Sequence, residues 1–290
     1  MKIANYYKEI IIMKKIALIT GSTDGIGRAL ALSLAEEGYS IHVLGTNKDK
    51  GKEVIKSLNK IHPKGEHELY IVDLSTLENN NNFLDEYIRN HEHLDLLVLN
   101  ANAMFKKVKT GKDGIDLAFI IGYLSRYMFS VKLDELLKKS NNPRVVHIGG
   151  ATMISEIQYT NLRTPNYKPL KSTAMGFMAN NLLTYHANKN GLTDVPYEFV
   201  EPGIVNTNTV KNQNIIVRFL SKIMGMIEPE EAGRLIKEHI METQSKDVSG
   251  KFYNKKNEKQ PKKEVVYGEE AFKEVLTFSK EVTGLQFTTS

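Results

Sequence analysis

The residues whose types and spacing point most directly to chemistry are Thr20-Gly21-Ser22-Thr23-Asp24-Gly25-Ile26-Gly27, directly after a short apolar run. Glycines permit a tight reversal between a strand and a helix and let an anionic group come close to the backbone. The helix that follows offers free N–H groups in its first turn, where hydrogen bonding and the helix dipole both favour phosphate oxygens. The chemistry implied is nucleotide pyrophosphate binding. A glycine-rich turn on its own is weak evidence, since it can be purely structural. Here its position between a buried strand and a helix adds weight.

Such a turn must be presented by a sheet, because ligands of open α/β sheets bind beyond the carboxyl ends of the strands. Ile16 to Thr20 is a continuous apolar run of the kind buried on both faces. Arg28 to Gly38 reads as a helix, with Gly38 where a left-handed cap would fall. Further strands are predicted at Ser40 to Leu44, Glu68 to Val72, Leu94 to Leu99, Val145 to Ile148 and Tyr197 to Val200, with helical stretches between them. Parallel strands need right-handed crossovers, usually helical, so this order predicts the α/β class: a doubly wound parallel sheet in a single domain. Asn79 to Asn82 reads as low-complexity sequence without a functional role.

The Gly-x-x-x-Gly-x-Gly spacing, with the segments that follow, resembles the short-chain dehydrogenase/reductase superfamily. Asp73-Leu74 looks like that family's adenine-contacting pair. Leu97-Val98-Leu99-Asn100-Ala101-Asn102 looks like its Asn-Ala-Gly signature, with Asn102 in place of the glycine. Arg144 to Ile148 matches its fifth strand, and Pro202-Gly203-Ile204-Val205-Asn206-Thr207 its Pro-Gly loop. The resemblance runs from about Lys15 to Leu285 and is nearest to the retinol-dehydrogenase-like branch, which Asp113-Gly114-Ile115-Asp116 and Ser249-Gly250-Lys251-Phe252-Tyr253 also suggest. It implies a Rossmann fold and a nucleotide site at Gly21, Ser22, Thr23, Asp24, Gly25, Ile26, Thr46, Asp73, Leu74, Asn100, Ala101, Pro202, Gly203, Ile204 and Thr207. The implied function is hydride transfer between NAD(P) and a carbonyl or alcohol. A homo-oligomer is also implied.

The proton-relay half departs from the family. Its serine falls at Gly150, its tyrosine at Thr173, its lysine at Phe177 and its asparagine at Gly122. No catalytic residue is therefore assigned. The string Tyr167 to Lys171 is a candidate relocated acid, although Pro169 disfavours a shared helical face. Tyr185 to Lys189 lies about 18 Å along a helix from Thr173 and reads as a surface pair. Tyr123, Tyr127 and Tyr159 are other possible donors, and Thr152 replaces the serine only if its loop shifts. Three functions stay open: an oxidoreductase with a rearranged donor, an inactive nucleotide-binding or sensor protein, and an interaction subunit.

Cofactor choice rests on the end of the second strand, Leu44-Gly45-Thr46-Asn47-Lys48. With no acid to take a ribose hydroxyl, Thr46, Asn47 and Lys48 favour NADP over NAD. Ile215 to Ile227, within a segment of about 208–228, follows the Pro-Gly loop where the resemblance implies a lid, and its apolar face would cover a hydrophobic substrate; Arg218 and Lys222 among its apolar residues would also suit a membrane surface.

Composition narrows the alternatives. The chain has 290 residues, 41% hydrophobic and 25% charged, and no cysteine, which excludes disulfides, thiolate zinc sites and a cysteine nucleophile. No metal site is expected. The net charge of +5 equals that of one stretch, Lys251 to Lys263, with six lysines and one glutamate. No zinc finger, basic zipper or aromatic RNA-binding motif accompanies it, so nucleic acid is not an expected partner. No apolar run approaches the roughly 20 residues that span a bilayer, and Met1 to Met13 lacks a cleavage site, so a cytoplasmic protein is expected. Residues 1–12 read as an extension ahead of a second start at Met13.

Overall fold

The computed structural model describes residues 14–150, 157, 162–163, 166–207, 225–254 and 268–288. Thr152, Tyr159, the amino-terminal extension, most of the basic run and the proposed lid up to residue 224 lie outside them.

Seven parallel strands form one sheet in the order β3-β2-β1-β4-β5-β6-β7. They are β1 (Ile16–Thr20), β2 (Ser40–Gly45), β3 (Glu68–Ile71), β4 (Leu96–Leu99), β5 (Arg144–Ile148), β6 (Tyr197–Glu201) and β7 (Lys251–Asn254). The order reverses between β1 and β4, which opens a crevice at the carboxyl end of β1, where the glycine-rich turn stands. The helices are α1 (Gly25–Glu36), α2 (Lys48–Ile61), α3 (Leu77–Asn90), α4 (Leu117–Phe119), α5 (Ser125–Lys132), α6 (Asp134–Lys138), α7 (Pro169–His186), α8 (Pro229–Glu242), α9 (Ser245–Val248) and α10 (Glu269–Thr283).

Strand side chains alternate between two cores. Leu18, Leu44, Leu97 and Val145 pack with Phe83, Phe129, Leu182 and Phe272 on one face; Ala17, Ile19, Val43, Val98 and Val146 pack with Leu30, Leu34, Val54 and Ile236 on the other. Both faces are dry, which explains the unbroken apolar runs.

Four local features differ from the sequence reading. The first helix starts at Gly25 rather than Arg28, because Asp24 caps it and accepts the Gly25 N–H at 2.8 Å. Its end is as expected, with Gly38 at φ +83°. The fourth strand begins two residues later than predicted, since the Leu94 N–H is taken by the Leu136 carbonyl at 3.1 Å. β7 was not anticipated: Lys251–Asn254 is short and abuts the lysine run, yet it pairs with β6 and buries Phe252 and Tyr253. Lastly, Asn79 to Asn82 is not idle sequence. Fully buried Asn80 donates to the carbonyls of Leu74 (3.0 Å) and Thr76 (2.6 Å), fixing the loop after β3.

His147 on β5 is fully buried, and burial together with the charge of Arg126 pushes its pKa well below the imidazole range. The unfolded chain therefore binds a proton below about pH 6.5 that the folded chain does not. Stability from this residue is present above pH 6.5 and is lost on acidification, by about 1.4 kcal/mol per pH unit. Urea unfolding at pH 7 and pH 5 is expected to show this fall, and a smaller one in His147→Asn.

Candidate functional site

At the carboxyl ends of β1, β2 and β4, a cavity of about 610 Å³ opens beside the glycine-rich turn. Of the predicted nucleotide residues, Gly21, Thr23, Asp24, Gly25, Ile26, Thr46, Asp73, Leu74, Asn100, Ala101 and Thr207 line it. Thr20 holds the turn in shape: its hydroxyl accepts the N–H groups of Asn100 and Ala101, each at 3.0 Å. Asn100 answers by donating to the carbonyls of Thr20 (2.9 Å) and Gly21 (3.1 Å). The ends of β1 and β4 are thus tied together by hydrogen bonds. Gly27 makes this possible, because a Cβ there would lie 2.5 Å from the Gly21 carbonyl oxygen and 2.6 Å from the Asn100 amide nitrogen.

Ser22 is a correction. Fully buried, it lines neither cavity; its hydroxyl donates to the Ile19 carbonyl at 2.6 Å and accepts the Leu44 N–H at 3.1 Å. It braces the turn instead of facing a ligand. Asn47 and Lys48 do not line the cleft either. The Asn47 side chain caps α2, accepting the Lys50 N–H at 3.0 Å, and Lys48 is exposed. A cation next to the cleft is Lys50, whose ammonium pairs with Asp24 at 2.6 Å.

A second cavity of about 260 Å³ continues from the first, sharing Ile26, Asn100, Asn102, Ala103 and Thr207. Pro202, Gly203 and Ile204 form one wall; Gly150, Thr173 and Phe177 form another. The structure therefore brings together three positions at which the resemblance puts serine, tyrosine and lysine. None of the described residues lining this cavity is ionisable. The Phe177 ring packs against Gly149 and Gly150, where Cβ atoms would meet it at 2.9 and 3.3 Å. Thr173 is 4% exposed and its hydroxyl has no hydrogen-bond partner among the described residues.

Gly122 sits in a π-helical turn, Ile120–Leu124, between α4 and α5. Such turns release backbone groups from the helical ladder. The Gly122 carbonyl accepts from the Asn180 amide at 2.8 Å, which docks α7. One turn later is Arg126, which the sequence reading passed over. It is 1% exposed and donates to the carbonyls of Ile148 (2.9 Å) and Ala101 (3.0 Å), so it holds the ends of β4 and β5 beneath both cavities. Burial lowers its pKa to about 9, leaving it cationic at neutral pH. An arginine inside the apolar stretch from Tyr123 to Met128 was the available signal.

The described candidate donors lie elsewhere. Tyr167 donates to Asp116 Oδ2 at 2.5 Å and lines neither cavity; burial, then that hydrogen bond and the aspartate charge, raise its pKa. Asp116 is a structural hub that also accepts from Ser172 at 2.7 Å and from the Ala118 N–H at 2.8 Å. Pro169 accounts for the misfit: Lys168 is extended and α7 starts at Pro169, leaving Tyr167 outside the helix that carries Lys171. Tyr123 and Tyr127 are core residues, bonded to Ser279 and to the Leu285 carbonyl, each at 2.9 Å. Tyr185 and Lys189 form the expected surface pair, the ammonium 5.3 Å from the ring centre.

The profile of the short chain dehydrogenase family matches residues 15–215. The chain belongs to that family. Human polyprenol dehydrogenase is 27% identical over 284 residues, covering 93% of this chain and 86% of that protein. Human retinol dehydrogenase 13 is 24% identical over 287 residues, covering 94% and 85%. These relatives put the chain in the retinol-dehydrogenase-like branch. Among solved structures, a short-chain dehydrogenase from Shigella flexneri, complexed with NADP, superposes with a TM-score of 0.62 at 18% identity, covering 83% of this chain and 97% of that one. An alcohol dehydrogenase from Thermococcus sibiricus, complexed with 5-hydroxy-NADP, gives 0.61 at 18%, covering 86% and 99%. Both likenesses are of the fold. Among the described residues no helix is long and apolar enough to cross a membrane.

Proposed function

We propose that this short-chain dehydrogenase binds NAD(P) along the two joined cavities and acts on a hydrophobic carbonyl or alcohol, without the family's tyrosine–lysine acid. The observation that carries the reading is the continuity of the two cavities past Asn100 and Thr207, from a glycine cradle at one end to an apolar chamber at the other. The cradle fits a dinucleotide: Gly21 and Gly25 adopt φ of +69° and +55°, and the N–H groups of the first turn of α1 precede its hydrogen-bond ladder. When bound, the cofactor supplies or takes up the hydride.

The protein's own groups do the remainder. Thr20 and Asn100 fix the turn, Asp73 and Leu74 flank the adenosine end, and Pro202 to Ile204 flank the nicotinamide end. Ile148, Phe177 and Val205 keep the chamber apolar. The Thr173 hydroxyl, buried and unpartnered, orients the substrate oxygen. A threonine alcohol is too weak an acid to serve as the family's tyrosine does, so the proton is exchanged with water. The hydrophobic substrate class is supported by this lining and by the polyprenol and retinol named for the relatives.

A titration followed by NADPH fluorescence tests the nucleotide site, and reduction of a panel of apolar aldehydes tests the chemistry. Saturable binding with slow turnover that falls further in Thr173→Val is the expected result; no binding at millimolar cofactor overturns it. A second reading, a nucleotide-binding protein without turnover, is favoured by the lack of an ionisable side chain on the described walls of the smaller cavity. It predicts binding without any reduction across the panel.

Selectivity for NADP over NAD rests on Lys50. Asp24 stands in the cradle and repels a 2′-phosphate unless its charge is compensated. Lys50→Ala is expected to weaken NADPH about 10-fold while changing NADH little, and Asp24→Asn is expected to strengthen NADPH. Dissociation constants for both cofactors at fixed ionic strength check this.

A further inference from the structure

Far from the cleft, at the amino-terminal edge of the sheet, five of the eight histidines lie close together in the chain: His42, His62, His67, His91 and His93. We propose that three side chains there, His42, Glu68 and His91, form a binding site for a zinc ion. Their nitrogen and carboxylate ligand atoms lie within 4.8 Å of one another. His42 Nε2 is 3.9 Å from Glu68 Oε1, and His91 Nε2 is 3.6 Å from Glu68 Oε2. Ligand atoms around a tetrahedral zinc, with bonds of about 2.0–2.1 Å, stand roughly 3.3 Å apart. Small side-chain rotations close that difference.

The fold sets this geometry. His42 and Glu68 are register partners on adjacent strands, so their side chains emerge on the same face. His91 caps the end of α3 directly over them, its ring centre 4.7 Å from that of His42. Two of the ligands, His42 and Glu68, are also oriented by a neighbour of the kind metal sites use. The Tyr87 hydroxyl is 2.7 Å from His42 Nδ1, which leaves Nε2 as the nitrogen facing Glu68. Tyr70 donates to Glu68 and lies 2.7 Å from His91 Nε2; on zinc binding it keeps its bond to the carboxylate and gives up the one to His91.

Charge and access agree with a divalent cation. Glu68 supplies one negative charge and is 43% exposed, giving an entry path and room for a water as fourth ligand. Two imidazoles and a carboxylate suit zinc among the available cations, whereas calcium and magnesium favour all-oxygen sites. The site is structural: it clips α3 to β2 and β3, the two outermost strands of that half of the sheet, and holds no part of the cleft.

The full-length protein, stripped by chelator and re-equilibrated with zinc, is expected to retain one ion per chain by elemental analysis and to melt at a higher temperature than the stripped form. Cobalt in its place is expected to give the strong visible absorption of a four-coordinate site. Glu68→Gln keeps the size of a half-exposed side chain and so preserves folding; it and His91→Ala are each expected to weaken zinc binding at least about 10-fold and to abolish the thermal shift. Two results overturn the proposal: no stoichiometric uptake by the parent protein, or uptake that survives unchanged in both variants, which would assign it to other histidines.

Discussion

A Thr173→Tyr/Phe177→Lys variant is expected to reduce apolar aldehydes with NADPH about 10²- to 10⁴-fold faster than the parent protein, the usual contribution of a positioned general acid. The two positions are four residues apart on α7 and therefore share a face, and both line the smaller cavity. Tyrosine at 173 brings a phenol to the place where the threonine hydroxyl has no partner. Lysine at 177 removes the ring that presses on Gly149 and Gly150, and its ammonium lowers the phenol's pKa by favouring the phenolate. Each substitution alone is expected to gain less than 10-fold, because a buried phenol without a cation is a poor acid and the cation alone carries no transferable proton to the right atom. Adding Gly150→Ser supplies a second hydroxyl in the space the Phe177 ring vacates. The measurement is kcat at saturating cofactor, with the NADPH dissociation constant as control. Unchanged kcat with unchanged NADPH binding would mean that the lack of a tyrosine–lysine pair at these two positions does not limit this protein's chemistry.

Gly27→Ala is expected to weaken NADPH binding by 100-fold or more and to lower stability by about 2 kcal/mol. Two effects oppose each other here. Alanine is the better helix former by about 1 kcal/mol, which alone would stabilise α1. Against it, the new methyl would lie 2.5 Å from one backbone oxygen and 2.6 Å from the Asn100 amide. Neither neighbour can yield cheaply, since that carbonyl and that amide are bonded to each other across the ends of β1 and β4. Relief requires the turn to open, and the turn is the cradle. Gly268→Ala, a position with nothing within 4 Å and no positive φ, is the matched control, expected to leave binding unchanged. Isothermal titration and urea unfolding separate the two effects. Normal cofactor affinity in Gly27→Ala would mean that the turn does not hold the nucleotide.

Strand and helix order were legible because both cores are dry. A strand buried on both faces favours apolar residues on both, and Ile16–Ile19 carries that preference in its composition. The glycine-rich turn was legible for a related reason: close approach of two backbones admits no side chain, so Gly27 is written into the sequence as a necessity. Other features had no such local signature. Ser22 sits in the middle of the motif yet turns inward, because whether a hydroxyl faces ligand or backbone depends on the neighbouring strand. Asn80 was hidden in a run of four asparagines, of which only tertiary packing selects one for burial. Tyr167 has the spacing of a catalytic pair with Lys171, and only its contact with Asp116, 51 residues earlier, shows that the hydroxyl is already engaged.

The sequence by itself determined the α/β class and the strand-turn-helix order around the glycine-rich turn, because each depends on residue types at short range. Only the tertiary structure decided which side chains share a cavity. Thr173, Phe177 and Gly150 face one chamber, Arg126 reaches under two strands, and His42, Glu68 and His91 meet at one edge. Such meetings are set by strand register and helix docking, which sum weak interactions over the whole chain, and no local spacing encodes them.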